Sequence, residues 1–184
     1  MFKNLKKSAK SLKDTRVLCT SAIMAALYVV LYTVKIPLTP DDSLRITFTF
    51  IPLALSGWLF GPVPAAIVGL VGDIAGFLLS PSKGPYFPGF TLSSILTGFI
   101  FGLILYKANS KNCILKSVLS KTCVSVFVNI MLNSLWLSVL YEKAWVIYAG
   151  SHLVKNLMLL PLEIVILIII IKLLSSRNIE KMYK

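Results

Sequence analysis

The sequence predicts an all-α integral membrane protein of six transmembrane helices with both termini in the cytoplasm, and three observations predict it. Of its 184 residues, 57% are hydrophobic and only 14% charged, and the mean hydropathy of +0.83 lies far from that of soluble domains. The apolar residues gather into six runs, most of them near the roughly 20 residues that cross about 30 Å of hydrocarbon. The charge is one-sided. The N-terminal arm (Lys3, Lys6, Lys7, Lys10, Lys13, Arg16), the link after the fourth run (Lys107, Lys111, Lys116, Lys121) and the tail (Lys172, Arg177, Lys181, Lys184) hold fourteen basic residues against Asp14 and Glu180, which accounts for the net charge of +12. Basic segments mark the cytoplasmic side, so the loops at 36–45, 80–86 and 142–144 are expected outside. The same distribution argues against nucleic acid as a partner, because topology and the anionic lipid of the bilayer explain it.

The chain is expected to form a single membrane domain over residues 1–184: a basic cytoplasmic arm at 1–16, a six-helix bundle at 17–172 and a basic tail at 173–184. The first run, 17–34, follows a basic arm as a signal peptide does, but it has no small-x-small cleavage site and reads as an uncleaved span. Ala22 and Ala26 lie four apart on one of its faces, a spacing that permits close helix contact. The second run, 46–60, is short and begins beside Arg45. The third, 62–79, carries small residues at Ala65, Gly69, Gly72 and Gly76, expected to pack closely, and sets Asp73 among them.

Before the fourth run, 87–106, stands Ser-Pro-Ser-Lys-Gly-Pro-Tyr-Phe-Pro-Gly-Phe-Thr-Leu-Ser at 80–93, with three of the chain's nine prolines. Proline limits the backbone and glycine, here Gly84 and Gly89, permits sharp turns. A stiff outer loop presenting Tyr86, Phe87 and Phe90, with Lys83 beside them, is therefore expected. The fifth run is 118–141 and the sixth 145–171.

Several chemistries are excluded by what is missing. There is no G-x-x-x-x-G-K-[ST], no G-x-G-x-x-G after a strand and no G-x-S-x-G elbow, so the chain reads as no enzyme and burns no nucleotide itself. Cys19, Cys113 and Cys123 are odd in number and near the reducing side, which favours free thiols. With one histidine, His152, and no C-x-x-C, neither metal nor cofactor is expected. Gly57-Trp-Leu-Phe-Gly61 echoes Gly98-Phe-Ile-Phe-Gly102, too little to be the inverted repeat of a self-sufficient carrier. An ion-coupled carrier with Asp73 or Glu163 as proton site remains the alternative from another class.

Polar side chains at membrane depth are costly and face a cavity or each other. Asp73 either pairs with Arg45 or Lys155 or accepts hydrogen bonds from a ligand. Asn129, Asn133 and Trp136, at i, i+4 and i+7, form one helical stripe in which an aromatic plane adjoins amides. In the sixth run Trp145 and Tyr148 suit an interfacial belt, while Lys155 lies too deep for that and could receive an anion. Glu163 is assigned no role in binding a ligand. A lining of aromatics, amides and a few cations describes a site for a flat, partly anionic small molecule.

The chain resembles the substrate-binding S components of energy-coupling factor (ECF) transporters, the vitamin importers of bacteria and archaea, over roughly residues 12–172. The resemblance rests on Ala22-x-x-x-Ala26, on Arg45-Ile-Thr-Phe-Thr-Phe-Ile-Pro52, on Phe60-Gly61-Pro62 and on Gly69-Leu-Val-Gly-Asp73. Gly84-Pro-Tyr-Phe-Pro-Gly-Phe-Thr-Leu-Ser93 is similar to the folate-specific branch. It implies a six-helix S-component fold and partners that supply the missing engine, a membrane coupling subunit and two cytoplasmic ATPases. Ala22 and Ala26 would meet the coupling subunit. Folate would be the ligand, its pterin stacked on Trp136, Tyr86, Phe87 or Phe90 and held at its edge by Asp73, Asn129 or Asn133. Its glutamate tail would be gripped by Arg45, Lys83 and Lys155. S components for pantothenate, thiamine or a queuosine precursor share the fold, and the pocket alone separates them.

Overall fold

The computed structural model describes residues 2–34, 36–37, 45–80, 86–108, 112–142 and 144–176. The basic arm is itself a helix, α1 (Phe2–Ser11). Its buried Ser8 hydroxyl donates to the Phe60 carbonyl at 2.9 Å and accepts the Val63 N–H at 3.2 Å, satisfying backbone groups that helix ends leave open. α2 (Thr15–Thr33) starts at Asp14, whose carboxylate accepts the Arg16 N–H at 3.0 Å, an N-cap.

Between α2 and the next helix, Ile36–Pro37 (β1) and Arg45–Ile46 (β2) form a two-residue antiparallel ladder in the segment expected as loop. α3 (Phe50–Phe60) is the expected second span. Its 11 residues reach about 16 Å at 1.5 Å each, and they survive at membrane depth because nearly all are buried among other helices. α4 (Pro62–Leu79) and α5 (Pro88–Leu105) each open on proline, which costs nothing where the N–H has no partner. The turn from α3 to α4 is Gly61, at φ 90, where a side chain would be strained and would strike Ser8.

The fifth span begins earlier than expected. α6 (Cys113–Cys123), a π-helical segment (Val124–Leu132) and α7 (Asn133–Tyr141) run on as one 29-residue apolar helix. α8 (Trp145–Ser176) completes the bundle. Together with α2, α4 and α5 these make five helices long and apolar enough to cross a membrane, α3 being the short sixth.

The small residues of the third span pack as their size predicts. A Cβ on Gly72 or Gly76 would lie 2.7 Å from the Tyr28 or Tyr32 ring of α2, so both tyrosines lie flat on the glycine face. Gly57 and Gly102, from the two echoing pentapeptides, meet each other across α3 and α5, so the echo reflects shared close packing. Phe101, Leu105, Val68, Val124, Leu167 and Ile171 fill the core.

Three expectations need correction. Lys121, counted with the cytoplasmic link, is buried at 2% exposure, its Nζ 3.0 Å from Glu163 and 4.2 Å from the Phe50 ring centroid. Because α6 starts at Cys113, the inward stripe Ser117, Ser120, Lys121 and Ser125 lies within the bundle. The stripe drawn through Asn129, Asn133 and Trp136 crosses from the π-helical segment into α7: Asn129 and Asn133 line one cavity, and Trp136 does not. Gly89 forms no turn: it is the second residue of α5, and a Cβ there would meet the Phe87 and Trp136 rings at 2.5 and 2.6 Å. Gly84 lies outside the described residues.

Candidate functional site

A cavity of about 220 Å³ lies toward the end of the bundle where α2 and α4 finish and α5 and α8 begin. Two walls enclose it. One comes from α2, α4 and α5, which pack on each other, and the other from the π segment, α7 and α8. The start of α3 and the residues before it contribute Thr47, Thr49, Phe50 and Leu53.

On the first wall the centre is Asp73, 6% exposed. Three hydroxyls hold its carboxylate: Thr91 at 2.8 Å on Oδ2, with Ser94 at 3.2 Å and Tyr28 at 3.4 Å on Oδ1. Thr91 also bonds the Tyr86 hydroxyl at 2.7 Å. Its single proton goes to Asp73, so Tyr86 donates to Thr91, and a chain of two hydrogen bonds ties the exposed Tyr86 to the buried carboxylate. Among the described residues Asp73 makes no ion pair, and hydroxyl donors hold it instead; the Arg45 side chain lies outside them.

The aromatic residues of the 80–93 stretch gather as a rim. Tyr86 packs on Phe77 with centroids 5.2 Å apart, and Phe87 lies edge-on to Phe90 at 6.0 Å. Trp136 stands behind Phe87 at 5.7 Å, its indole N–H donated to Ser93 at 3.1 Å, so its ring supports the rim and does not line the cavity.

On the second wall Asn129 Nδ2 donates to Asn156 Oδ1 at 3.0 Å, and Asn156 Nδ2 donates to the His152 carbonyl at 2.7 Å. The Lys121–Glu163 pair lies deeper on the same side. It is paired and sits over the Phe50 ring, as buried charge must be to persist.

Of the residues singled out in the sequence, Asp73, Tyr86, Phe87, Phe90, Asn133 and Lys155 line this cavity together. Arg45 is in β2, directly before the lining residue Ile46, and its side chain lies outside the described residues, as does Lys83 altogether. Ala22 and Ala26 are exposed on α2 while Ala25 between them is buried, so the pair faces away from the bundle and from the cavity. Sequence reasoning missed Tyr28, Tyr32, Phe77, Thr91, Ser94 and Lys121. The signal for the tyrosines was their i, i+4 spacing opposite glycines at i, i+4. Among the described residues no three His, Cys, Asp or Glu side chains gather as a metal site requires.

A helical membrane bundle closed around a polar-lined, aromatic-rimmed cavity is built to bind a small solute and not to turn it over. The family model for the substrate-specific component of ECF transporters matches residues 16–171, and the chain belongs to that family, a multi-pass membrane subunit of a transporter and not an enzyme. It is 36% identical over 156 residues to the folate transporter FolT of Clostridium novyi (strain NT), covering 85% of this chain and 88% of that one. The folate transporter FolT of Leuconostoc mesenteroides is 26% identical over 156 residues, 82% of each chain. A crystal structure of FolT bound with folic acid superposes with a TM-score of 0.74 at 34% identity, covering 83% of this chain and 90% of that one. The S component of a bacterial ECF transporter shares the fold at a TM-score of 0.65 and 23% identity, over 92% and 98% of the two chains.

Proposed function

We propose that the chain captures folate from outside the cell in this cavity and hands it to an ATP-driven module of a membrane coupling subunit and two ATPases. The observation that carries the reading is the union, in one cavity, of a buried carboxylate, Asp73, with the flat rings of Tyr86, Phe87 and Phe90. The similarity to the two FolT proteins and to FolT bound with folic acid supports it.

A pterin presents an N–H and an amino group side by side, a donor pair that a carboxylate accepts with charge assistance. Its faces stack on aromatic rings at about 0.5–1.5 kcal/mol per pair beyond area burial. A space of about 220 Å³ is below the roughly 300–1,000 Å³ of sites that enclose drug-sized ligands, so the ring system is enclosed while the glutamate tail lies at the mouth. Arg45, Lys83 and Lys155 are the cations assigned to that tail, Asn133 joins Asp73 at the ring edge, and Trp136 acts through Phe87. The exposed Ala22 and Ala26 form the face for the coupling subunit, where small side chains permit close approach.

Titration of the purified protein with folate, 5-formyltetrahydrofolate, thiamine and pantothenate tests the ligand. Folates are expected to bind tightly and the others not at all. Tight binding of thiamine or pantothenate without folate overturns the reading, and gradient-driven, ATP-independent uptake by the chain alone overturns the dependence on a module.

A further inference from the structure

Buried polar atoms without a hydrogen-bond partner are rare in folded proteins, and each one asks for a reason. Among the described residues five side-chain atoms stand in that position. Three are the hydroxyls of Ser21, Ser56 and Ser134, none of which lines the cavity. The other two, Asn133 Oδ1 and His152 Nε2, both do. His152 is only 6% exposed, so its unpaired nitrogen is shut off from bulk solvent on a residue that lines the cavity.

Other polar side chains that line the cavity have partners of their own. Asn129 and Asn156 are committed to each other and to the His152 carbonyl, and Lys121 is committed to Glu163. Asp73 belongs to the other wall, where three hydroxyls already engage it. Among the described residues, the two unpaired side-chain atoms on cavity-lining residues are thus Asn133 Oδ1 and His152 Nε2, both on the second wall.

We propose that His152 is a specificity-determining ligand contact whose Nε2 donates a hydrogen bond to a carbonyl oxygen or ring nitrogen of the bound heterocycle. Asp73 and Asn133 Oδ1 can only accept, so they select ring N–H and amino groups; the imidazole N–H supplies the complementary donor that neither can. The three together read a flat ring carrying N–H donors beside an acceptor, and reject one whose acceptor is replaced by a further donor. The ligand named in this inference rests on the folate reading, whereas the unsatisfied imidazole does not.

The test uses the full chain in detergent with His152→Leu and His152→Gln, read by thermal unfolding without ligand and by calorimetric titration with folate and with its 4-amino analogue, in which the ring carbonyl becomes an amino group. Removing an unpaired buried polar atom is neutral or stabilising, so empty His152→Leu is expected to unfold at or above the wild-type temperature. Its folate affinity is expected to fall roughly ten- to hundredfold, the cost of one hydrogen bond left unmade on a buried ligand. His152→Gln, which keeps an amide donor near the Nε2 position, regains most of that loss. The preference for folate over the 4-amino analogue shrinks in His152→Leu. Loss of stability in the empty His152→Leu protein with folate affinity unchanged overturns the proposal, since it marks a residue that serves the fold, and so does an undiminished preference between the two analogues. If the wild type binds no folate, the functional reading fails by itself, and the ligand-free unfolding still decides whether His152 is held unsatisfied or serves packing.

Discussion

Thr91→Val should uncouple the rim of the cavity from its centre. Valine keeps the shape of threonine and deletes one hydroxyl, and that hydroxyl both donates to Asp73 Oδ2 at 2.8 Å and accepts from Tyr86 at 2.7 Å. A hydrogen bond to a charged group is worth about 1.5–3 kcal/mol. The Tyr86 hydroxyl belongs to a side chain 43% exposed, so water can replace its lost acceptor and its share is under about 1 kcal/mol. The ligand-free protein should therefore lose about 2 kcal/mol, which for a chain of this size is a fall of about 4–8 °C in the unfolding midpoint. Thr91→Ser, which restores the hydroxyl, should recover most of it. Tyr86→Phe alone should cost under about 1 kcal/mol, and in the Thr91→Val background it should cost almost nothing, because the chain is already cut. The double-mutant cycle, followed by circular dichroism on heating, should show a coupling of at least about 0.5 kcal/mol. Strictly additive losses would refute the hydrogen-bond chain, and a Thr91→Val protein as stable as wild type would refute the claim that Thr91 holds Asp73.

The other predictions concern the pair at depth, the partner face and the tail. Lys121→Met leaves Glu163 without its partner and should cost about 3–5 kcal/mol, whereas Lys121→Met combined with Glu163→Leu should return to within about 1–2 kcal/mol of wild type or exceed it; thermal unfolding measures both. Ala22→Trp with Ala26→Trp should abolish ATP-driven uptake in vesicles containing the coupling module while folate binding stays unchanged, and undiminished uptake would remove that face from the interface. Arg45→Ala should weaken folate about tenfold or more, as loss of a charge-assisted contact implies, and leave a tail-less pterin unaffected; equal losses for both would make Arg45 structural.

The six spans were legible because apolar residues dominate each run despite a few polar ones, and the short α3 was legible because Gly61 and Pro62 end one run and open the next. Asp73 stood out as a lone carboxylate amid small residues. Lys121 did not, because a lysine beside other lysines reads as part of a basic link until helix bounds are known, and α6 starts five residues before the expected span. Counting charge tolerates that error: the asymmetry of the basic segments survives the removal of one lysine. Assigning a role to one residue does not tolerate it, and Glu163 was left without a role in binding a ligand for the same reason. Thr91, Ser94 and Tyr28 were illegible in a different way. A hydroxyl in an apolar run satisfies itself on its own helix as readily as on a neighbour, and only the approach of α2 and α5 to Asp73 reveals which.

The two carboxylates that line the cavity end in opposite states, and the difference bears on what the cavity can do. Glu163 meets a full counter-charge at 3.0 Å, and the two fields cancel to anything a few ångströms away. Asp73 meets three neutral hydroxyls, which fix its orientation and lower the cost of burying it without neutralising it. Hydroxyl donors at 3.2 and 3.4 Å are also long for hydrogen bonds between oxygens, and a closer N–H pair from a ligand can compete with them. A lysine or arginine at the same place would have to be displaced before a neutral ring edge could bind. Among the described residues, the carboxylate that the sequence could have paired with a cation is thus left without one on the cavity wall, and Glu163, to which no part in ligand binding was assigned, is spent inside the bundle.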